Sequence, residues 1–524
     1  MIYLRKGRGL QLKSFSVKNI KSFRDEAEIE LKPITIFVGK NSSGKSSLVR
    51  FPVVLAQSFL SEADTPIMFF GKNIDYGNYE DVIFGHKGKK MQFSVTYDYL
   101  DDKFFWRTVK KNKYYKTLEK DIEVKLNVEI TKYSRRIIVD NCNIYINGEL
   151  GLKIERIQNE KYRFCINALR QSKEKAEVSF PIKHLKFYKY IPFFSAYSLY
   201  EDLVNYYSST DETQMNKSEY SSLKKKIFKD EYEVFGEEIQ EKDNDLSREE
   251  RKIKDICTIL DFYSVLLENM RYLCIQDAND LYYIGPFREN PNRVYRDAEH
   301  QVGTVGTRGE NVSVMLKNDY NHGKKMLSGI SDWLYKAMGY RLGLKDIGSG
   351  LYNIVVIKED GTEDNLIDVG YGISQVLPIV TQIVKLKLGG RKDRYVFSYN
   401  DRMNSIFIIE QPELHLHPGA QAELANLFVE AINSPNCNQK ILIETHSEHL
   451  LRRLQALIAD KSTNITSEQV KIYYVDKNKN NEAYVTEMKI CENGQFESEW
   501  PSGFFDKAHE LSMELLRNNL NGKV

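Results

Sequence analysis

The sequence predicts an α/β fold with a mainly parallel sheet that is built from both ends of the chain. Short, apolar, β-branched runs of buried-strand length occur near the N-terminus and again beyond residue 275. Helical stretches separate the later runs, and this alternation is typical of parallel sheets. The middle of the chain shows short meander strands instead. We therefore expect an α/β head interrupted by an inserted α+β or helical domain.

The first 90 residues predict three strands, a loop and a helix. Leu12 to Val17 alternates apolar and polar residues, Ile29 to Leu31 is a short apolar run, and Ile34 to Val38 has the composition of a buried strand. The loop from Gly39 to Ser46 follows, and Ser47 to Leu60 is predicted to be helical. Strand, loop and helix thus occur in the order that a phosphate-binding loop requires.

The middle block has a different character. Met91 to Tyr97 and Ile144 to Ile146 are predicted meander strands, the second ending at the turn Asn147-Gly148. Asp211 to Arg251 is dominated by charge, and Ile253 to Leu273 has the pattern of an amphipathic helix. We expect this block to be the insertion.

Buried strands return in the last part of the chain. They are Tyr282 to Ile284, Tyr352 to Ile357, Ser405 to Ile409, Lys440 to Ile443 and Ile472 to Val475. The predicted organisation is an N-terminal part of the head at 1–90, an insertion at 91–274, a C-terminal part of the head at 275–510 and a tail at 511–524.

Composition excludes several classes of protein. Among 524 residues, Lys and Arg total 75 and Asp and Glu total 73, so no global basic charge favours a nucleic-acid coat or a membrane-surface protein. No segment approaches the length of a membrane span, and the N-terminus has no signal-peptide pattern. The cysteines are isolated, without a CxxC pair. We expect a cytoplasmic protein with no membrane contact.

Residues 39 to 46 form a complete GxxxxGK(S/T) motif. Its glycines let backbone N–H groups point at phosphate oxygens, while Lys45 can reach the β and γ phosphates and Ser46 can bind Mg²⁺. The alternative is an ordinary polar turn. The predicted nucleotide-binding residues here are Gly39, Lys40, Asn41, Ser42, Ser43, Gly44, Lys45, Ser46 and Ser47.

A second glycine-rich segment runs from Asp368 to Gln375. Gly370, Gly372 and Ser374 precede a predicted helix from Val376 to Leu388 and offer donors to an anion. The alternative interpretation is a glycine turn that caps a buried helix.

Two apolar strands end in polar clusters. Ile406 to Ile409 leads into Glu410, Gln411 and Glu413, where a strand-end carboxylate can hold Mg²⁺. Ile441 to Ile443 leads into a second cluster, in which His446 could sense a γ-phosphate.

Together these motifs resemble the ABC-type ATPase heads of the SMC/RecF/OLD class, over residues 10 to about 90 and 275 to 510. More closely, the chain is similar to a bacterial AAA-type ATPase subgroup with an uncharacterised C-terminal module. The segments that carry this similarity are YIGPFRENPNRVY, DVGYGISQVLP, EQPELHLHP, ETHSEHLLRRL and WPSGFFD. Members of the class occur in anti-phage defence, and a Septu PtuA-like ATPase, which works with an HNH-type nuclease, is the narrower resemblance.

The resemblance implies ATP and Mg²⁺ as ligands. Residues 39–47 would cradle the triphosphate, Ser46 and Glu410 would hold Mg²⁺, and His446 would contact the γ-phosphate. Gly370, Gly372 and Ser374 would contact the nucleotide of an opposite subunit, with Leu416–Pro418 at the seam, which implies a homodimer or higher homo-oligomer. A nuclease would be the protein partner, and nucleic acid would be reached through it.

The chain departs from this class at Gln411. The class has an acidic pair at the end of this strand, and an amide cannot accept a proton from the attacking water. Either Glu413 substitutes as the base or hydrolysis is slow. Two other functions stay open: a RecF-like DNA-binding repair ATPase and a non-hydrolysing nucleotide-sensing scaffold.

Several further residues have a weaker functional interpretation. Gln57 is a candidate to order water but is more simply a helix residue. His415, His417, His446 and His449 could bind a metal, although the ATP-site motifs already account for them. The basic and aromatic segments Lys110–Lys116 and Lys183–Tyr190 could contact nucleic acid, with solvated strand edges as the simpler interpretation. Arg288, Arg293 and Arg296 could contact phosphate, with salt bridges as the simpler interpretation.

Overall fold

A computed structural model describes most of the chain in two compact units. The described residues are 12–100, 121–158, 161–166, 178–182, 185–195, 199–200, 202–203, 248–298, 300–389, 403–435, 437–501, 511 and 513–518. The first unit draws on the described residues within Met1–Ile20, Leu55–Gly71 and Tyr76–Ala278. The second draws on those within Lys21–Val54, Lys72–Asp75 and Asn279–Val524.

The first unit is an antiparallel meander with a long helix. Its strands are β1 (Leu12–Lys18), β4 (Lys90–Leu100), β5 (Asp121–Tyr133), β6 (Arg136–Ile146), β7 (Glu149–Gln158), β8 (Lys161–Ile166), β9 (Val178–Ile182), β10 (Lys186–Tyr188) and β11 (Ile191–Phe193). Its helices are α3 (Tyr79–Val82) and α4 (Arg248–Asn279). The first seven of these strands are hydrogen-bonded in chain order, and β10 pairs with β11.

Local sequence explains this meander. Asn147 and Gly148 have φ of 50° and 79°, the left-handed values that a tight hairpin turn between β6 and β7 needs. At Gly151 a Cβ atom would lie 1.9 Å from the Tyr263 hydroxyl of α4, so only glycine allows this close packing. The predicted strands at Met91–Tyr97 and Ile144–Ile146 and the predicted helix Ile253–Leu273 are confirmed.

The second unit holds the parallel sheet, with strand order β12-β17-β18-β3-β19-β20. Five of its strands run parallel, and the edge strand β20 is antiparallel to β19. Its strands are β2 (Ala27–Glu30), β3 (Ile34–Gly39), β12 (Leu281–Ile284), β13 (Tyr295–Arg296), β14 (Arg341–Gly348), β15 (Leu351–Ile357), β16 (Glu363–Asn365), β17 (Met403–Glu410), β18 (Cys437–Glu444), β19 (Val470–Lys477) and β20 (Ala483–Glu487). In a smaller antiparallel sheet, β15 pairs with β13, β14 and β16.

Helices cover both faces of the parallel sheet. They are α1 (Lys45–Val49), α5 (Val312–Asn321), α6 (Lys325–Met338), α7 (Tyr371–Leu388), α8 (Pro418–Ile432) and α9 (Glu448–Ala459). Alternate strand residues such as Ile36, Ile409 and Ile443 join the apolar core formed with α5 to α9. The residues between them point to the other face, where α1 packs against β3, β17 and β18.

Two helix predictions need correction. The predicted helix Ser47–Leu60 is two helices, α1 and α2 (Phe51–Leu60), separated at Arg50. Pro52 has no N–H to donate to the carbonyl four residues earlier, which favours this break. The glycine-rich segment enters its helix earlier than expected, because α7 begins at Tyr371, and Pro378 therefore lies inside the helix.

The predicted fold class, a P-loop α/β head with an antiparallel β lobe and a helical region, is confirmed by these sheets. Within the described ranges, no helix has the length and apolar character needed to cross a bilayer. The domain boundaries proposed from the sequence stay predictions. Lys110–Lys116, most of Asp211–Arg251 and residues 502–506 of WPSGFFD lie outside the described residues.

Candidate functional site

The loop after β3 is shaped by two glycines. Gly39 has φ of 140°, and a Cβ atom there would lie 2.0 Å from the Val475 carbonyl oxygen of β19. Gly44 has φ of 114° and immediately precedes α1. Residues other than glycine rarely adopt these positive φ angles. The sequence therefore sets the course of the loop at both ends.

Lys45 lies inside this loop. Its ammonium donates hydrogen bonds to the carbonyl oxygens of Gly39, at 3.1 Å, and Lys40, at 2.7 Å. The residue is 3% exposed, and burial lowers the pKa of its ammonium. Lys40 points elsewhere and forms an ion pair with Asp476 at 2.9 Å. The ammonium of Lys45 thus lies within the loop, whereas that of Lys40 lies outside it.

The Ser46 hydroxyl donates a hydrogen bond of 2.9 Å to Glu444 Oε1, at the end of β18. Glu444 is 4% exposed, and its other oxygen, Oε2, is buried without a hydrogen-bond partner. Burial, together with the charge of Glu410, raises the pKa of Glu444 to about 7. The structure therefore brings Ser46 to Glu444, a residue that was not among the predicted site residues.

Glu410 has different partners. Arg50 donates to both of its oxygens, from Nε at 2.6 Å and from Nη2 at 2.7 Å. The Tyr283 hydroxyl donates a third hydrogen bond, of 2.6 Å, to Glu410 Oε1. Glu410 is 2% exposed. Ser46 and Glu410, both predicted to hold Mg²⁺, thus have different hydrogen-bond partners, and their role at the ion stays a prediction.

Sheet register explains why two carboxylates lie together. Glu410 of β17 and Glu444 of β18 are register partners on adjacent parallel strands. Ile409 and Ile443, one residue earlier, point into the apolar core. Because successive side chains alternate between faces, both carboxylates point to the face covered by α1.

The backbone after Glu410 turns sharply. Gln411 has φ of 46°, and its N–H donates to the Glu444 carbonyl oxygen at 2.7 Å. Arg288 donates to the carbonyl oxygens of Glu410, at 2.6 Å, and Gln411, at 2.9 Å. Arg288 is 5% exposed, and burial lowers its pKa to about 10. Instead of the expected salt bridge, Arg288 holds the main chain of this turn.

Glu413 and His446 lie beside each other. Glu413 Oε1 accepts a hydrogen bond of 2.6 Å from the backbone N–H of His446, while Oε2 is buried without a hydrogen-bond partner. Burial raises the pKa of Glu413. Burial and the nearby charge of Lys45 lower the pKa of His446 to about 4, so its imidazole is neutral at physiological pH.

The second glycine-rich segment contacts the turn after β17. Gly370 precedes α7, and a Cβ atom on Gly372 would lie 2.7 Å from the His415 carbonyl oxygen. The Ser374 hydroxyl donates to the Tyr371 carbonyl oxygen at 2.8 Å. Tyr371 is 61% exposed, with its ring 6.0 Å from that of His415. The segment thus presents an exposed surface next to His415.

The weaker candidates have structural contacts. Gln57 donates to the Met68 carbonyl oxygen at 2.8 Å within the first unit. His417 caps α8 by accepting from the Ala420 N–H at 3.3 Å. Lys189 binds the carbonyl oxygens of Ser61 and Ala63.

No group of three His, Cys, Asp or Glu residues that could hold a metal is found in the described part of the chain. A magnesium site of one or two carboxylates completed by substrate phosphates does not need such a group.

Sequence comparison adds a family. Residues 11–451 match the family described as AAA ATPase domain, and residues 465–515 match a family described as a protein of unknown function (DUF3696). No curated protein matches the chain.

Among solved structures, the SMC head domain from Thermotoga maritima shares 9% identity, with 92% of this chain and 100% of that chain covered and a TM-score of 0.34. The Smc head domain with an extended coiled coil from Pyrococcus furiosus, bound to the C-terminal domain of ScpA, shares 10% identity, with 97% and 100% covered and a TM-score of 0.36. The family match spans well over half of the sequence: the chain belongs to the AAA ATPase domain family.

Proposed function

We propose that the chain binds ATP at residues 39–47 and hydrolyses it slowly with Mg²⁺. One observation carries this proposal: a single edge of the parallel sheet gathers the closed loop around Lys45, the Ser46 hydroxyl and the buried carboxylates. In open α/β sheets, ligands bind at the carboxyl ends of the strands. The family match supports the same assignment.

The loop residues would hold the triphosphate. Backbone N–H groups between Gly39 and Ser47 would donate to phosphate oxygens, and Lys45 would exchange its two carbonyl acceptors for the β and γ phosphates. When bound, Mg²⁺ would neutralise charge on these phosphates. The residues present fit such an ion, since the Ser46 hydroxyl lies beside a buried carboxylate oxygen with no hydrogen-bond partner. The sequence-based assignment places Ser46 and Glu410 at this ion.

Hydrolysis needs a group that accepts a proton from water. Gln411 cannot do so, whereas Glu413 has a buried oxygen without a hydrogen-bond partner beside His446. We assign the base to Glu413 and the γ-phosphate contact to the neutral His446. Because Gln411 replaces the second acidic residue of the strand end, turnover is expected to be slow.

A homodimer around ATP is part of the proposal. Gly370, Gly372 and Ser374 would contact the nucleotide of the opposite subunit. The packing of Gly372 on His415 supports this, because it joins the glycine segment to the predicted seam at Leu416–Pro418. ATP-dependent dimerisation, measured by light scattering, tests this part. A species that stays monomeric with ATP under conditions of saturated binding would count against it.

Control of a separately encoded nuclease in anti-phage defence is the biological role we propose, and it rests on the motif resemblance. Phosphate release by the purified chain, measured with and without DNA, distinguishes this role from that of a repair ATPase. Slow release that DNA does not stimulate supports control of a nuclease, whereas strong stimulation by DNA favours a RecF-like repair ATPase.

Gln411 favours a second candidate function, a nucleotide sensor that does not hydrolyse ATP. Binding of ATP without phosphate release, even with DNA present, is the result that this candidate requires. Gln411→Glu restores the acidic pair and is expected to increase phosphate release if the rest of the site is competent.

A further inference from the structure

Glu444 is the carboxylate that contacts Ser46. Its Oε1 accepts the serine hydroxyl at 2.9 Å, and its Oε2 is buried without a hydrogen-bond partner. A buried polar atom without a partner is costly and calls for an explanation, such as a catalytic role or a bound water or ion. Glu444 is 4% exposed, so this oxygen is not satisfied by bulk solvent.

Glu410, by contrast, already has strong partners. The guanidinium of Arg50 binds both oxygens, and the Tyr283 hydroxyl binds Oε1 as well. A bidentate arginine pair of this kind is among the strongest hydrogen-bonded arrangements in proteins. A cation would have to displace Arg50 in order to contact Glu410 directly.

The two carboxylates are thus neighbours that differ in their hydrogen-bond partners. They are register partners on β17 and β18, and both point to the face covered by α1. Arg50, directly after α1, forms a bidentate ion pair with Glu410. Glu444 accepts a hydrogen bond from the Ser46 hydroxyl, and Lys45 and Arg50 act on it only through their charges. A divalent cation is the charge that would complete this arrangement, and oxygen ligands suit Mg²⁺.

The geometry points to Glu444, with Ser46, as the protein's ligand for the divalent cation of the bound nucleotide, and to Glu410 as a positioning residue that fixes Arg50 and Tyr283. This inference rests on the proposed ATP site. It changes which strand supplies the metal-facing carboxylate, from β17 to β18, the strand directly beside β3.

The test compares ATP affinity with and without metal. Equilibrium binding of ATP to the full chain is measured in EDTA and in Mg²⁺, and bound Mn²⁺ is measured by electron paramagnetic resonance. The gain in ATP affinity on adding metal should be at least roughly 10-fold smaller for Glu444→Gln than for the unaltered chain. Its affinity in EDTA should hold or improve, because a negative charge near the phosphates is removed.

Glu430→Gln, which alters an exposed ion pair with Lys387, is the control and should keep the metal-dependent gain. Glu410→Gln tests the sequence-based assignment on the neighbouring strand. A Glu444→Gln protein with the full gain and normal Mn²⁺ binding would overturn the inference. So would loss of the gain in Glu410→Gln alone.

Folding is controlled in two ways. The Gln amide oxygen in Glu444→Gln can still accept from Ser46, and circular dichroism melts check the fold. If that protein does not fold, Glu444→Asp replaces it. Its shorter side chain should weaken the metal-dependent gain in ATP affinity, and an unchanged gain contradicts the inference.

Two outcomes separate this inference from the proposed function. Failure of the unaltered chain to bind ATP would overturn both. Normal ATP binding with an unchanged gain in Glu444→Gln would overturn the inference alone.

Discussion

Arg50 and Glu410 form a bidentate ion pair, with Nε and Nη2 of the arginine 2.6 and 2.7 Å from the two carboxylate oxygens. Glu410 is 2% exposed, and the arginine side chain is 30% exposed. The pair joins the end of α1 to the end of β17. It therefore ties the segment that follows the Gly39–Ser46 loop to a neighbouring strand end.

Removal of Arg50 should destabilise the second unit. Arg50→Met leaves a buried carboxylate without its cation, and breaking a buried pair costs about 3–5 kcal/mol. We expect the lower end of this range, because Arg50 is partly exposed. The free energy of unfolding in urea measures it. Arg452→Met removes an exposed helix pair with Glu448 and should change stability by less than about 0.5 kcal/mol. Equal effects of the two variants would contradict a structural role for Arg50.

Gly372 should tolerate no side chain, whereas Gly370 should. A Cβ atom on Gly372 meets the His415 carbonyl oxygen at 2.7 Å, but one on Gly370 meets nothing within 4 Å. Overpacking of this kind costs about 1–3 kcal/mol. Thermal unfolding of the two alanine variants measures the difference. If Gly370→Ala is the more destabilised, the packing of the glycine segment on His415 is wrong.

Glu413→Gln should abolish residual turnover while ATP binding remains. A general base contributes roughly 10²- to 10⁴-fold to a rate, so phosphate release should fall by at least about 100-fold. Glu430→Gln, which alters an exposed ion pair with Lys387, is the control and should turn over normally. Unchanged turnover in Glu413→Gln would remove Glu413 from the mechanism.

Acid should weaken the second unit through Glu30. Partial burial opposes ionisation, but hydrogen bonds from Lys32 and Lys471 outweigh it and lower the pKa of Glu30 to about 2, from an ordinary 4.5. A lowered pKa stabilises the fold above the ordinary value, and this stability is lost as the pH falls towards 2.

The pH dependence of unfolding measures the contribution of Glu30. Glu30→Gln should flatten the loss of stability between about pH 5 and pH 2, whereas the exposed Glu499→Gln should not. A Glu30→Gln curve parallel to that of the unaltered chain would show that the ion pairs with Lys32 and Lys471 contribute nothing.

Much of the fold could be predicted from the sequence. The apolar β-branched run Ile34–Val38 is β3, and the strands before Glu410 and Glu444 are β17 and β18. Strand length and apolar character carry this information, since strands buried on both faces differ from loops by composition alone. Gly39 and Gly44 likewise predict the loop after β3, because its backbone needs positive φ angles at these two positions.

The partners of the two strand-end carboxylates could not be predicted. Glu410 and Glu444 each follow an apolar run, and their local sequences do not distinguish them. The difference arises from strand order, which places β18 between β3 and β17, and from Arg50, whose side chain reaches Glu410 across this face. Likewise, Tyr283 and Arg288 come from the distant strand β12 and the loop after it, and only the sheet pairing brings them to this turn.

The central claim is that the loop around Lys45 binds ATP, and equilibrium binding of ATP to the full chain and to Lys45→Ala tests it most directly. Exposed Lys461→Ala is the control. Hydrogen bonds from a charged group contribute about 1.5–3 kcal/mol, so Lys45→Ala should bind roughly 10- to 100-fold more weakly, and Lys461→Ala should bind as the unaltered chain does. Equal affinity in Lys45→Ala, or no ATP binding by the unaltered chain, would contradict the claim.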